Sequence, residues 1–335
     1  MANPILVEIT RGGIVESVHR GSIAILDAKG AVKLALGDIE SPVYSRSSLK
    51  PMQALPLVES GAADAFGLGD EELALACASH SGEPMHVTRI AAWLKRLGLN
   101  EGDLACGAHP SRYEPVAEAM IRRGEEPTRL FNNCSGKHAG FLTVARHWDI
   151  ATKGYETVGH PVQQAVKKTL CELSNAKDLA FGVDGCAAPN FAMSLSQFAR
   201  AAARMAAPDG ISEERAMASR RLLAAMIAYP ELVSGTGRVC ATLMRAARGR
   251  AAVKAGAEGF YAAWIPHKGL GVAVKIDDGG GRASETALAA VLESLRLLDG
   301  SQAVRSILRA PILNTRGTVV GERRPGAALA KLTLG

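Results

Sequence analysis

The chain has 335 residues, enough to bury a core without disulfide or metal staples. Its 47% hydrophobic and 21% charged content is that of a folded globular protein, which excludes disorder, collagen and coiled coil. Lys and Arg number 39 against 33 Asp and Glu, a dispersed net +6, and aromatics are 4%, so a nucleic-acid arm, a polybasic membrane anchor and a base-stacking surface are excluded too.

The first 45 residues read as strands. Residues 5–9 are short and apolar, and Glu8 inside that stretch, with no basic opening, argues against a signal peptide. Residues 21–27 and 31–35, separated by Ala28-Lys29-Gly30, read as a hairpin whose glycine supplies the positive φ of the turn. Residues 47–60 carry Met52, Leu55 and Val58 at helical spacing, with Pro51 and Pro56 tolerable in a first turn. From Asp70 to about Arg250 the texture is rich in Ala and Leu. Asp70-Glu71-Glu72 places acids at the positive end of a helix dipole. Stretches 87–97, 113–123, 161–173, 191–205 and 212–228 are further helices, the last capped by Ser212. Between helices, 78–84, 132–140 and 182–190 read as Gly- or Asn-rich loops. Strands return after about 251. Residues 259–265 and 270–276 form a second hairpin, 277–281 a turn, 284–298 a helix stopped by Asp299-Gly300, and 317–321 a last short strand.

Strands at both ends with helices between predict an α+β fold of a single unit. Its sheet part covers approximately 1–60 and 251–335, and its helical part approximately 61–250. No G-x-G-x-x-G follows a strand and no P-loop is present. No apolar run approaches the ~20 residues of a membrane helix. Neither nucleic acid nor membrane is expected as a partner, and the cytoplasm is the expected compartment. That compartment keeps the six cysteines reduced.

Five constellations could carry chemistry. Ser47 and Lys50 form S-x-x-K. On a helix the hydroxyl and amine share a face, and a desolvated lysine can take the serine proton. The bland alternative is a capping serine beside a solvated lysine. Ala78-Ser79-His80-Ser81-Gly82-Glu83-Pro84 could present a second hydroxyl, or could be a plain turn. Asn132-Asn133-Cys134-Ser135-Gly136-Lys137-His138 surrounds a cysteine with polar groups. Cys134 could be a nucleophile with His138 as base, or a thiolate ligand, or simply buried. Spacing alone favours His138 as a third metal ligand. Asp184-Gly185-Cys186 suggests a site loop, or an ordinary turn, and a metal shared by Cys134 and Cys186 can be proposed. Lys254-Ala255-Gly256 has the layout of the K-T-G element of serine β-lactamases, with Lys275 as competitor.

Taken in order, S-R-S-S-L-K-P-M-Q, C-A-S-H-S-G-E, C-G-A-H, N-N-C-S-G-K-H-A-G, D-G-C-x-x-P and K-x-G-A-E-G resemble the rhizobial-type, third-class L-asparaginases over roughly residues 5–300. The resemblance implies a fold like serine β-lactamases and glutaminases, a homodimer, and L-asparagine as substrate. It implies two Ser–Lys pairs, Ser47 with Lys50 and Ser79 with Lys254. It implies a zinc ion held by Cys134, Lys137 and Cys186, assisting binding more than chemistry, and a pocket lined by Arg46, His138 and Asp184. Here the resemblance replaces His138 by Lys137 as the third ligand. Rival expectations are a glutaminase, a β-lactamase-like amidohydrolase, and a zinc-binding structural or sensor protein without catalysis.

Overall fold

Both ends of the chain enter one sheet. In the computed structural model, which describes residues 2–334, strand Ile5–Arg11 is antiparallel to Ile14–Asp27 on one side and to Val319–Pro325 on the other. The chain divides into two compact units. One comprises residues up to Ser48, Met193–Ala207 and Thr242 onward; the other comprises Leu49–Ala192 and Pro208–Ala241.

The first unit contains an eight-stranded sheet. Its order is Ala310–Leu313, Val319–Pro325, Ile5–Arg11, Ile14–Asp27, Leu270–Ile276, Phe260–Ile265 and Ala252–Ala255, with Val32–Leu36 also paired to Ile14–Asp27. The pairings are antiparallel. Ile14–Asp27 is long enough to serve three neighbours, Val32–Leu36 pairing with its second half. Its first half pairs with Ile5–Arg11, and its second runs from Gly21 opposite Ile276 to Asp27 opposite Leu270. Ile23, Ala24, Ile25 and Leu26 are consecutively buried, so both faces are covered there.

Helix Leu195–Ala206 packs on Ile14–Asp27 and Leu270–Ile276, and helix Gly281–Ser294 packs on Phe260–Ile265 and Leu270–Ile276. Gly271 explains the close approach of the former: a Cβ there would run into the carbonyl of Ala199. Ser194 caps this helix, its Oγ accepting from Gln197 N–H while the Gln197 side chain accepts from Ser194 N–H. Residues 191–205 therefore hold two elements rather than the expected single helix: strand Pro189–Met193, a capping serine, and then the helix. Burying Leu195 and Phe198 contributes about 1.5–3 kcal/mol each.

The second unit is helical, and the fold as a whole is α+β. Its helices include Asp70–Ala76, Pro84–Arg96, Glu114–Arg123, Ser135–His147, Pro161–Ser174 and Glu213–Ala228. Two expectations are corrected here. Residues 132–140 are not a loop, because helix Ser135–His147 begins inside them. Residues 135–145 are buried, so no polar face marks the helix, and its glycines serve packing. A Cβ at Gly136 would overlap the Leu75 carbonyl of helix Asp70–Ala76. Residues 182–190 are likewise not wholly a loop but the turn of a hairpin, with Phe181–Val183 against Pro189–Met193.

Residues 47–60 were expected to be helical, and they are helical in pieces. A 3-10 turn Arg46–Leu49 leads into Lys50–Gln53 and then Leu55–Glu59. Pro51 and Pro56 each fall in a first turn, where their missing N–H costs nothing. No helix among the described residues is long and apolar enough to cross a membrane.

Candidate active site

In the sheet unit, Ser47 stands in the 3-10 turn and is half-buried. The residue before it, Arg46, has φ +51°, in the left-handed region that a long side chain rarely adopts. Such strain persists only where the surroundings fix it. Here Ser48 N–H donates to Ser45 O, and the buried Ser48 Oγ donates to Lys254 O at 2.8 Å. Gly256 continues the same contact, because a Cβ there would strike the Ser45 carbonyl. The serine turn is thus stitched to the end of Ala252–Ala255, the last strand of the sheet order. Lys254 is 1% exposed, and its Nζ donates to Ala255 O at 2.9 Å. Lys275 lies on another strand and donates to Glu258 O and Ile276 O, its pKa lowered by burial. Of the two candidate lysines, Lys254 is the one beside the serine turn.

In the helical unit, Lys50 opens helix Lys50–Gln53 and is 1% exposed. Its Nζ donates to Ala78 O at 2.6 Å, to Ser79 Oγ at 2.8 Å and to Asn133 O at 3.4 Å. Burial lowers its pKa; the Cys134 and Cys186 sulfurs oppose this and the charge of Lys137 adds to it. Ser79 sits just past helix Asp70–Ala76, its N–H donating to Val233 O at 2.9 Å.

The rest of the loop is held by Glu83. Its carboxylate accepts from Ser81 Oγ at 2.5 Å, Thr236 N–H at 2.9 Å and Thr236 Oγ1 at 2.6 Å. His80 is fully buried and shares a hydrogen bond with Ser135 Oγ at 2.9 Å. His109 Nε2 accepts from Asn133 N–H at 2.9 Å, which steadies the turn before Cys134.

Cys134, Lys137 and Cys186 form one buried cluster. Cys134 precedes helix Ser135–His147, and Lys137 lies in its first turn. Cys186 is carried by the hairpin turn, where Ala187 has φ +72°. Lys137 Nζ donates to Cys186 Sγ at 3.0 Å. A hydrogen bond with Cys134 holds Cys186 far below the usual thiol range, Lys137 reinforcing it against burial, while Cys134 is pushed well up. Burial works against the Lys137 charge, but the Cys186 and Cys134 sulfurs raise its pKa above the ordinary value. These directions favour negative charge on Cys186, with protons kept on Cys134 and Lys137.

His138 is fully buried, with Nδ1 2.6 Å from Tyr155 Oη and Nε2 without a hydrogen-bond partner. Asp184 is half-buried and accepts from Gly185 N–H and from Asn190 Nδ2 at 3.1 Å. No group of three or more His, Cys, Asp or Glu suited to a metal occurs among the described residues. With Lys137 as the third donor the set suits zinc: two sulfurs and an amine, with Cys186 meeting both of the others, provided the amine and the Cys134 thiol shed their protons.

Tyr155 and Thr236 are the participants that sequence reasoning missed. Neither lies in a motif, and each meets its partner only through the fold.

The family model for L-asparaginase II matches residues 7–325. No curated protein matches the chain. Among solved structures, Mglu in its native form is similar at 14% identity and a TM-score of 0.49, over 84% of this chain and 66% of that one. The chain thus spans slightly less than two thirds of Mglu's length. A β-lactamase from Mycobacterium bovis is similar at 15% identity and a TM-score of 0.44, over 82% of this chain and 94% of that one. The match over residues 7–325 takes in the serine turn, both buried lysines and the cysteine pair, and the chain belongs to the L-asparaginase II family of amidohydrolases.

Proposed function

We propose that the protein is an L-asparaginase that hydrolyses L-asparagine to L-aspartate and ammonia through a serine acyl-enzyme. The observation that carries this reading is Lys50: a buried lysine of lowered pKa, hydrogen-bonded at 2.8 Å to the Ser79 hydroxyl, in a chain of this family. An amine desolvated in this way can accept a proton near neutral pH.

In this reading Ser47 Oγ attacks the carboxamide carbon while Lys50 takes its proton. The C–N bond breaks, the proton goes to the departing ammonia, and water then cleaves the ester to restore Ser47. Ser79 and Lys254 relay the proton and activate that water. Arg46, His138 and Asp184 orient the amino acid. Cys134, Lys137 and Cys186 would hold zinc, which when bound supplies a positive charge for a substrate oxygen. The working form is taken to be a cytoplasmic homodimer, whose dimeric state sedimentation equilibrium reads.

Ser79 is the competing nucleophile, favoured by its direct bond to Lys50. Ammonia release from asparagine and from glutamine tests the substrate. kcat/KM is expected to favour asparagine by well over tenfold, since one methylene misplaces the reacting carbon. Equal values would move the protein to the glutaminases, and release from neither would favour a non-catalytic zinc protein.

A further inference from the structure

His80 stands next to Ser79 in the helical unit. Its imidazole is fully buried, and both ring nitrogens are engaged. Gly82 N–H donates to Nδ1 at 3.1 Å, and a backbone amide has no lone pair to offer, so Nδ1 is bare. The neutral ring therefore carries its proton on Nε2 and donates it to Ser135 Oγ at 2.9 Å. Ser135, also fully buried, gives its own proton to Leu130 O at 2.9 Å, and a carbonyl can only accept. Every direction from Gly82 through His80 and Ser135 to Leu130 is thus fixed. A charged imidazole would set an N–H at Nδ1 against the Gly82 amide, and burial holds the ring well below the ordinary histidine pKa. The ring plane is fixed as well. His86 stacks on it with centroids 4.9 Å and planes 14° apart, itself accepting from Glu83 N–H at 3.1 Å and donating to Glu231 O at 2.9 Å.

We propose that His80 is a positioning residue: through Ser135 it ties the loop that carries Ser79 to the start of helix Ser135–His147, and so keeps the Ser79 hydroxyl in line with Lys50. The inference rests on the reading of Ser79 and Lys50 as reacting groups. The two ends of this strut flank that pair. Ser79 Oγ meets Lys50 Nζ at 2.8 Å, and the carbonyl of Asn133, two residues before Ser135, accepts from Lys50 Nζ at 3.4 Å and from His80 N–H at 3.3 Å. A shift of the loop against the helix alters these distances together, and a misplacement of about 1 Å costs about a hundredfold in rate. Because both side chains are fully buried, bulk solvent cannot replace a lost bond.

Two substitutions each keep one half of the imidazole's bonding. The Asn side-chain oxygen reaches the place of Nδ1 and can still accept from Gly82, whereas the Gln amide reaches the place of Nε2 and can still donate to Ser135. In the full-length protein, His80→Asn is expected to lower kcat for asparagine by about tenfold or more with KM within about twofold, and His80→Gln to restore most of it. Ser135→Ala, the milder change, should match His80→Asn, and the double variant should be no slower than either. A merely structural histidine would lower the melting temperature in both His80 variants and leave kcat of the folded protein alone. Hydrogen exchange at the Ser79 and His80 amides needs no substrate, and it should quicken by about tenfold or more in His80→Asn and Ser135→Ala but not in His80→Gln. Unchanged kcat and exchange in Ser135→Ala, or activity in His80→Asn that is lost in His80→Gln, would overturn the proposal. A wild type that releases no ammonia, with exchange behaving as expected, would instead overturn the asparaginase reading.

Discussion

Ser47 occupies a turn whose backbone is braced by its neighbours rather than by its own hydroxyl. Ser48 bonds Lys254, and Ser45 O meets Ser48 N–H. Ser47→Ala should therefore leave the fold nearly untouched, at a cost of about 1 kcal/mol, while ammonia release falls to background. Thermal unfolding and an ammonia assay check both halves, and a folded variant that retains substantial turnover removes Ser47 from the chemistry. Ser47 and Lys50 stand out in the sequence because S-x-x-K is a local pattern, three residues apart on one helical stretch. The contact of Tyr155 with His138 does not, because it joins residues 17 apart that no spacing encodes.

Helix Ser135–His147 shows how an element can be misread. Asn-rich and Gly-containing sequence resembles a loop, yet the glycines are contact points and the burial is nearly complete. Gly136→Ala decides between two effects. Helix propensity alone would stabilise the variant by about 1 kcal/mol. The Cβ, however, would press on the backbone carbonyl of Leu75, which cannot swing aside, and overpacking costs about 1–3 kcal/mol. The melting temperature should fall, whereas a rise would mean that the helices are not in such close contact.

The loop after helix Asp70–Ala76 depends on Glu83. Burial acts to raise its carboxyl pKa, but the hydrogen bonds from Ser81 and Thr236 prevail and hold it below the usual range. Its contribution is thus complete above the ordinary value of about 4.3 and disappears as the pH falls through the lower folded value. Glu83→Gln should be less stable than wild type at pH 7, with the gap closing below about pH 4. A gap independent of pH would show that the charge is not what clamps Thr236.

At the scale of the whole molecule, alternating strands at both ends and Ala-rich helices between them were enough to anticipate a sheet drawn from both termini. The pairing of Ile5–Arg11 with Val319–Pro325 realises it. Strands Ala252–Ala255 and Ala310–Leu313 escaped notice because they are four residues long, too short for a period to show. The central claim, a serine acyl-enzyme in an asparagine-hydrolysing chain, is tested most directly by acid-quenching the full-length protein during turnover of asparagine and locating the adduct by peptide mass spectrometry. An aspartyl ester on the peptide bearing Ser47, absent in Ser47→Ala, is the expected result; an ester on Ser79 instead, or steady ammonia release with no ester on either serine, would contradict it.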